Sequence, residues 1–450
     1  MIVMKFGGTS VQDEEAIGRV ISIVGSRLVE KPLVVVSALA RVTKVLCAIA
    51  QEAEAQHEDA VRTNLNLLRE RHFNLAKALL NERPDLLENC LKDIEARISH
   101  LERFVTGVCQ IGELSLRSEA RIISTGELLS STIIAYAFNA RGISCNWIDA
   151  RRMITTNDNY MSARPDLEIT EANVKRIIGM ESKGVDLVLT QGFIASTSEG
   201  STSVLGFEGS DYSAAIFGMA LGASRVEIWT DVDGIRSADP RVVSNTRRIE
   251  SLSYEEAAEM ASMGARVLHP LTIEPARKKN IPIVVLNSKN PECKGSTVLR
   301  ADEAPDGPKS VASRSGILYV KVTSTKMDGV TAMLGRVFAP LYANRVPVTL
   351  AKATESEVYL VLPEEVAGLA PSLKAIEAWA DVTVYRDKAL ISVIGRNIVG
   401  LEGLGDKVIE TAGKVYVANV SANMLSENFV IDTERLEDTL TGIHDYIFAN

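Results

Sequence analysis

Hydrophobic positions along the chain fall into three patterns. Short apolar runs with no polar interruption occur at MIVMKF (1–6), KPLVVVSALA (31–40), DLVLTQGF (186–193), RVEIWTDVDG (225–234) and IPIVVLNS (281–288). Such runs predict strands buried on both faces, as in a parallel sheet covered by helices. Between them lie helical periods, including RIISTGELLSSTIIAYAFNARG (121–142), read as one helix, and a long charged stretch over about 44–118 with few Gly or Pro. That stretch reads as a helical insertion. After RADEAPDGPKS (300–310), a linker by its Pro, Gly and charge, the pattern shifts to shorter alternating strands. GILYVKVTS, a helix over 330–345, VPVTLAKATE, EVYLVLP, a helix near 365–379 and VTVY form one set. ALISVIGR, a helix near 403–412, KVYVANVSA, NFVID and a terminal helix form the second. The expected organisation is an α/β domain at 1–299 with a doubly wound sheet, then tandem β-α-β-β-α units at 311–384 and 385–450.

Composition narrows the class. With 46% hydrophobic and 24% charged residues the chain is that of a soluble globular protein. Its net charge of -9 argues against nucleic acid or an anionic membrane as main partner. Cys47, Cys90, Cys109, Cys145 and Cys293 are widely spaced, with no zinc-type pairing, and read as reduced thiols. The N-terminal apolar run is too short for a signal peptide, and no window spans a membrane. The expected location is the cytoplasm.

Candidate chemistry sits at the predicted strand ends. MKFGGTS (4–10) places Lys5 just before two glycines, which allow close backbone approach to a phosphate. It is neither GxxxxGK[ST] nor GxGxxG. VLGFEGSDYSAAIFGMALGA (204–223) runs through a Gly-punctuated turn into an Ala-rich helix, whose start suits an anion. WTDVDGIRSADPRVV (229–243) carries acids at a strand end, where an Asx-rich turn serves as well. In STGELLSS (124–131) Ser124 or Thr125 reads as N-cap, with Glu127 as a first-turn acid. His269 in GARVLHP reads as a structural hydrogen-bonder, and GLEGLG (400–405) as a turn.

Taken in order, KFGGTS, VVVSALARVT, STGELLSS, TQGFI, LGFEGSDYSAA, WTDVDGI…DPR and GARVLHP resemble the aspartate kinases over nearly the whole chain. The resemblance implies the amino-acid kinase fold, a three-layer sandwich around a mostly parallel sheet. Two α+β ferredoxin-like ACT domains are implied behind it. It implies ATP- and Mg2+-dependent phosphorylation of the L-aspartate side chain to 4-phospho-L-aspartate, the opening step of lysine, threonine and methionine synthesis. Lys5 and Asp211 would be catalytic, and Gly7, Gly8 and Ser210 would hold phosphate. Ser37, Thr43, Glu127 and Phe193 would bind substrate, Glu127 meeting its ammonium. Thr230, Asp231, Arg236, Arg241 and Arg266 would surround the nucleotide. Val348 and Thr349 would line an allosteric site for lysine or threonine. No metal site made of protein groups alone is implied, and the expected assembly is a homodimer or homotetramer.

Four positions depart from the family pattern. Phe207 stands where a G-R-x-G-S-D pattern has a substrate-gripping Arg, and Glu208 follows, expected to turn to water with Phe207 as wall. Arg236 replaces a usual Tyr and Arg266 a usual Lys. Thr349 replaces the Asp of lysine-sensitive relatives. Arg41, in SALARVT, is the candidate for the missing charge. The competing readings are another carboxylate kinase of the same superfamily and a weakly active amino-acid sensor.

Overall fold

A computed structural model describes residues 1–264, 268–324 and 329–448. The chain divides into two compact units. The first comprises Met1–Ile235, Glu250–Ala257 and Leu268–Ala304; the second comprises Arg236–Ile249, Ala258–Val267 and Pro305–Asn450. Two segments counted above with residues 1–299 therefore pack with the C-terminal residues.

The first unit begins with β1 (Val3–Phe6), α1 (Glu14–Gly25) and β2 (Leu33–Val36). Four helices follow the second strand: α2 (Val42–Glu54), α3 (Glu58–Leu80), α4 (Pro84–Ile111) and α5 (Leu116–Ile123). Next come α6 (Thr125–Ala140), β3 (Cys145–Ile148), β4 (Thr155–Thr156), α7 (Leu167–Glu181), β5 (Leu187–Gln191), β6 (Ile194–Thr197) and β7 (Thr202–Val204). The chain continues through α8 (Gly209–Leu221), β8 (Val226–Thr230), β9 (Ser251–Ser253), α9 (Tyr254–Met263), α10 (Pro270–Lys278), β10 (Ile283–Asn287) and β11 (Ser296–Leu299). Eight strands form one sheet in the order β3-β5-β2-β1-β8-β10-β11-β9, the first six parallel. β4, β6 and β7 form a small separate sheet.

The predicted apolar strands are β1, β2, β5, β8 and β10, and every residue of β1, β2 and β5 is buried. Between central strands the rings of Phe6 and Trp229 stack with centroids 5.9 Å apart. Helices α6 and α8 are buried almost all round, which explains their Ala, Ser and Gly content: small side chains let them seat closely against their neighbours. The run 121–142 is two helices rather than one, broken at Ser124. Ser124 does not cap α6. It has helical φ and ψ, and its hydroxyl donates back to Arg121 O at 2.8 Å.

In the second unit, β12 (Gly307–Thr323), α11 (Val330–Ala343), β13 (Leu350–Ala353), β14 (Glu357–Pro363), α12 (Leu369–Glu377), β15 (Asp381–Arg396), α13 (Leu404–Ala412), β16 (Val415–Val420), β17 (Ser426–Asp432) and α14 (Leu436–Phe448) follow in order. One six-stranded sheet, β13-β14-β12-β15-β17-β16, joins both predicted sets. VTVY and ALISVIGR are parts of the single strand β15, and the last four residues of the expected linker, 307–310, belong to β12. These two strands pair antiparallel along nearly their whole length, with register shifts that bend them. Leu318, Val320 and Val322 face the core under α11 and α12, while Ala389, Ile391 and Val393 pack with α13, α14 and the inserted Ala238 and Val243. The opposite face carries Tyr319 among Tyr359, Tyr385 and Tyr416.

Candidate active site

In an open α/β sheet the ligand edge lies beyond the carboxyl ends of the parallel strands. The first unit has a cleft of about 330 Å³ there, among the turns that follow β1, β2 and β5, the start of α8 and the buried Glu127. A cavity of about 380 Å³ at the opposite strand ends, around Lys31, Leu33 and Asp186, holds none of the predicted site residues.

Lys5, the third residue of β1, is buried and forms an ion pair with Asp211 Oδ1 in the first turn of α8. Strand register sends the Lys5 side chain to the α8 side, and α8 brings Asp211 to meet it. The two predicted catalytic residues thus neutralise one another at the start of a helix.

The amides around them are mostly committed. Gly7 N–H donates to Trp229 O at 3.2 Å, so it is not free for a phosphate, contrary to the expectation. Gly209 N–H donates to Gly206 O, and those of Asp211 and Tyr212 to Glu208 O. Among the described residues the amides of Gly8 and Ser210 have no protein acceptor, and both residues line the cleft. The start of α8 therefore presents one open N–H rather than a full anion nest, with the Lys5–Asp211 pair in its first turn. Ser37 Oγ donates to Ser210 Oγ at 3.0 Å, tying the turn after β2 to α8.

Glu127 is 3% exposed. Gly126 lets α6 approach the turn after β2: an added Cβ would lie 2.9 Å from Ala38 Cβ. Glu127 Oε1 accepts the Ala38 N–H at 3.3 Å, while Oε2 is buried without a partner. Burial, partly offset by the Ala38 N–H, pushes its carboxyl up to about 8. The local reading of a first-turn capping acid is thereby corrected: the side chain turns into the cleft, where the resemblance had put it, with one oxygen left without a partner.

Phe193 and Thr43 complete the predicted substrate wall. The Gly192 turn passes so close to α8 that an added Cβ would sit 2.5 Å from Ser210 Cβ. Phe193 follows with φ 68°, its N–H donating to Ser213 Oγ. Arg41 (φ 69°) and Glu208 (φ 53°) also line the cleft with left-handed backbone, which non-glycine residues keep only when their surroundings impose it. Glu208 is not turned to water as expected. Its Oε2 is buried without a partner, and burial together with the Asp211 charge raises its carboxyl pKa, Lys5 opposing. Phe207 is the exposed one of the pair, at 78%, with its ring edge-on to His269. His269 itself accepts the Leu271 N–H at the start of α10, the structural role predicted.

The remaining predicted residues are spread more widely. Thr230 ends β8 at the same sheet edge and Asp231 follows it, Thr230 Oγ1 donating to Asp231 Oδ1. Arg236 and Arg241 belong to the second unit. There Arg236 donates to the hydroxyl and carbonyl of Thr246, both at 2.6 Å, and Arg241 forms a fork on Asp239. Arg266 lies outside the described residues. Val348 packs against the α11–α12 core. Thr349 donates its N–H to Val361 O and accepts from Arg314 at 3.4 Å. Gly400 and Gly403 have positive φ in a turn before α13, as GLEGLG suggested. One basic residue within electrostatic reach of the cleft residue Arg41 has no signal in the sequence. Arg71, on α3, feels the charge of Arg41, and a charged helix face gives no sign of it. Among the described residues no three His, Cys, Asp or Glu side chains cluster as a metal site, and no helix is long and apolar enough to cross a membrane.

The amino acid kinase family model matches residues 1–287. The lysine-sensitive aspartokinase 3 of Escherichia coli K12 is 32% identical over 460 residues, covering all of this chain and 99% of its own. Aspartokinase 3, chloroplastic, of Arabidopsis thaliana is 31% identical, covering 99% of this chain and 81% of its own. Among solved structures, E. coli aspartokinase III in complex with aspartate and ADP (R-state) superposes over the whole of both chains with a TM-score of 0.85 at 31% identity. The same enzyme in complex with lysine and aspartate (T-state) gives 0.83 at 32%, covering all of this chain and 99% of that one.

Proposed function

The chain belongs to the amino acid kinase family and, within it, to the aspartokinases, and from that premise we propose how its cleft transfers the γ-phosphoryl group of ATP to L-aspartate. The product is 4-phospho-L-aspartate with ADP. The side-chain carboxylate oxygen forms the new P–O bond while the β,γ-bridging oxygen leaves with ADP, so no proton changes hands. The acceptor carboxylate, with an ordinary pKa near 4, is already ionised at neutral pH and needs no general base. What remains for the protein is alignment and neutralisation of charge on the transferring group.

The observation that carries this reading is the cleft that gathers Glu127, with its unpartnered oxygen, with Ser37, Thr43, Phe193, Gly8 and Ser210, the last next in sequence to the Asp211 that pairs with Lys5. Lys5 Nζ and the open amides of Gly8 and Ser210 hold the transferring phosphoryl oxygens. Glu127 takes the substrate ammonium against Oε2, with Thr43, Ser37 and Phe193 as the walls. Asp211 orients Lys5 between the two substrates. Thr230 and Asp231 take the nucleotide side. Oxygen donors at the start of α8, the Asp211 and Glu208 carboxylates and the Ser210 hydroxyl, are the hard donor set that suits Mg2+. Glu208 Oε2, buried without a partner, fits a cation there. When bound with ATP, Mg2+ supplies neutralisation of the phosphate oxygens.

The two β-α-β-β-α sets expected at 311–384 and 385–450 we read as two ACT-type halves of one sheet, joined rather than parted at 384/385 because β15 runs through that boundary, with Val348 and Thr349 at the effector site and lysine or threonine as the effector. An effector inhibits only by binding the less active arrangement more tightly. We place the enzyme in the cytoplasm as a homodimer or homotetramer, which sedimentation velocity tests. ADP release that depends on L-aspartate, is absent with L-glutamate and falls with lysine or threonine tests the function; equal release with both substrates overturns it.

A further inference from the structure

The substrate proposed above brings two carboxylates and one ammonium into a cleft that is already acidic. Glu127 and Glu208 line it, and Asp211, next in sequence to the lining Ser210, is in ion pair with Lys5. Among the lining residues Arg41 is the one basic side chain. It is exposed, and among the described residues no carboxylate pairs with it.

Its neighbour on the helical insertion is in the same state. Arg62 and Arg69, on the same helix as Arg71, are tied to Asp59 and to Glu95 and Glu102. Arg71 has no such acid among the described residues, and after burial the charge of Arg41 is what lowers its pKa. Two guanidinium groups within electrostatic reach and without an anion between them repel one another, and an anion relieves that repulsion.

Substrate geometry says which anion. The ammonium and α-carboxylate of aspartate share one carbon, so the groups that hold them must be neighbours in the cleft. Glu127 Oε1 is bonded to the amide of Ala38, three residues before Arg41 in the same turn. The side-chain carboxylate is then left to extend toward Lys5 and Ser210. We propose that Arg41, backed by Arg71, binds the α-carboxylate of the substrate amino acid and so sets specificity for it, in a cleft where position 207 carries no charge. The backbone agrees: Arg41 holds φ 69° at the start of α2, so its side chain leaves the turn from a left-handed residue, a position with an intrinsic cost.

This inference rests on the aspartokinase reading, and the test separates the two. Arg41→Gly removes the charge at a backbone position that glycine occupies without strain, so the variant retains the fold. Steady-state kinetics of the full-length enzyme should show the aspartate KM raised about 10- to 100-fold, as for loss of a charged hydrogen bond. Arg41→Lys should fall between wild type and Arg41→Gly, because it keeps charge without the fork. Arg71→Ala should raise the aspartate KM less, with kcat retained. The ATP KM should stay within about two-fold throughout, since uniform loss of affinity for both substrates would mark a merely structural effect. A wild-type aspartate KM in Arg41→Gly overturns the inference and leaves the aspartokinase reading standing. Wild-type enzyme that forms no product from aspartate overturns both.

Discussion

Glu127 gives the account its most quantitative test. Complete burial holds its carboxyl at about 8 against an ordinary 4.5. Between those values the folded chain keeps a proton that the unfolded chain releases, so this residue lowers stability as pH rises through the window. The proposed substrate reverses the preference, because an ammonium against Oε2 favours the ionised carboxylate. At pH 6, two units below about 8, ionising Glu127 costs about 2.7 kcal/mol, at 1.36 kcal/mol per unit. Aspartate binding must supply that amount and release a proton. The expected affinity therefore rises about ten-fold per pH unit from pH 5 to 7 and levels off above pH 8. Calorimetric titration with ADP present, in buffers of different ionisation enthalpy, should count close to one proton released per aspartate at pH 6. Glu127→Gln should bind more weakly and release none. A flat wild-type profile without proton release, or an unchanged slope in Glu127→Gln, would refute the assignment of Glu127 to the ammonium.

Other outcomes follow from the same geometry. Lys5→Ala should lower kcat by at least about 10²-fold, because it removes the cation aimed at the transferring group; single-turnover kinetics check it. Gly8→Ala should be more damaging than Gly7→Ala in the same assay. An added Cβ on Gly8 lies 3.0 Å from the carbonyl of Ala38 in the cleft wall, against 3.5 Å from Lys5 Nζ for Gly7. Gly295→Ala should unfold the protein or lower its melting temperature sharply: φ is 65° and the Cβ would fall 2.0 Å from Val285 O. Thr349→Ala should shift the inhibition constant of the effector and leave the uninhibited aspartate KM unchanged.

How much was legible in the sequence depends on whether the cause was local. The parallel strands announce themselves because burial on both faces removes polar alternation, and the small residues of α6 and α8 announce helices packed all round. The break at Ser124 leaves only the STGE capping pattern, which the apolar residues on both sides of it, read as one helix, outweigh. The continuity of β15 is equally hidden. Its two apolar runs are separated by the charged RDK (386–388), beside the expected boundary at 384/385, yet Lys388 pairs with Asp432 of β17 and is held in the ladder. Read from local sequence alone, Glu127 and Glu208 mislead for one reason, although the family resemblance already implied a substrate role for Glu127. Each sits where a local rule, helix capping or a solvated turn, offers a sufficient account, while burial by distant segments decides its state. Arg71 is visible only in three dimensions, because its neighbour Arg41 is thirty residues away in the chain.

The central claim is that this cleft makes an acyl phosphate on aspartate. The direct measurement incubates the full-length protein with MgATP, L-aspartate and hydroxylamine and detects aspartyl hydroxamate. The account predicts product that needs both ATP and aspartate and is lost in Lys5→Ala. Absence of hydroxamate from wild-type protein that demonstrably binds ATP would contradict it.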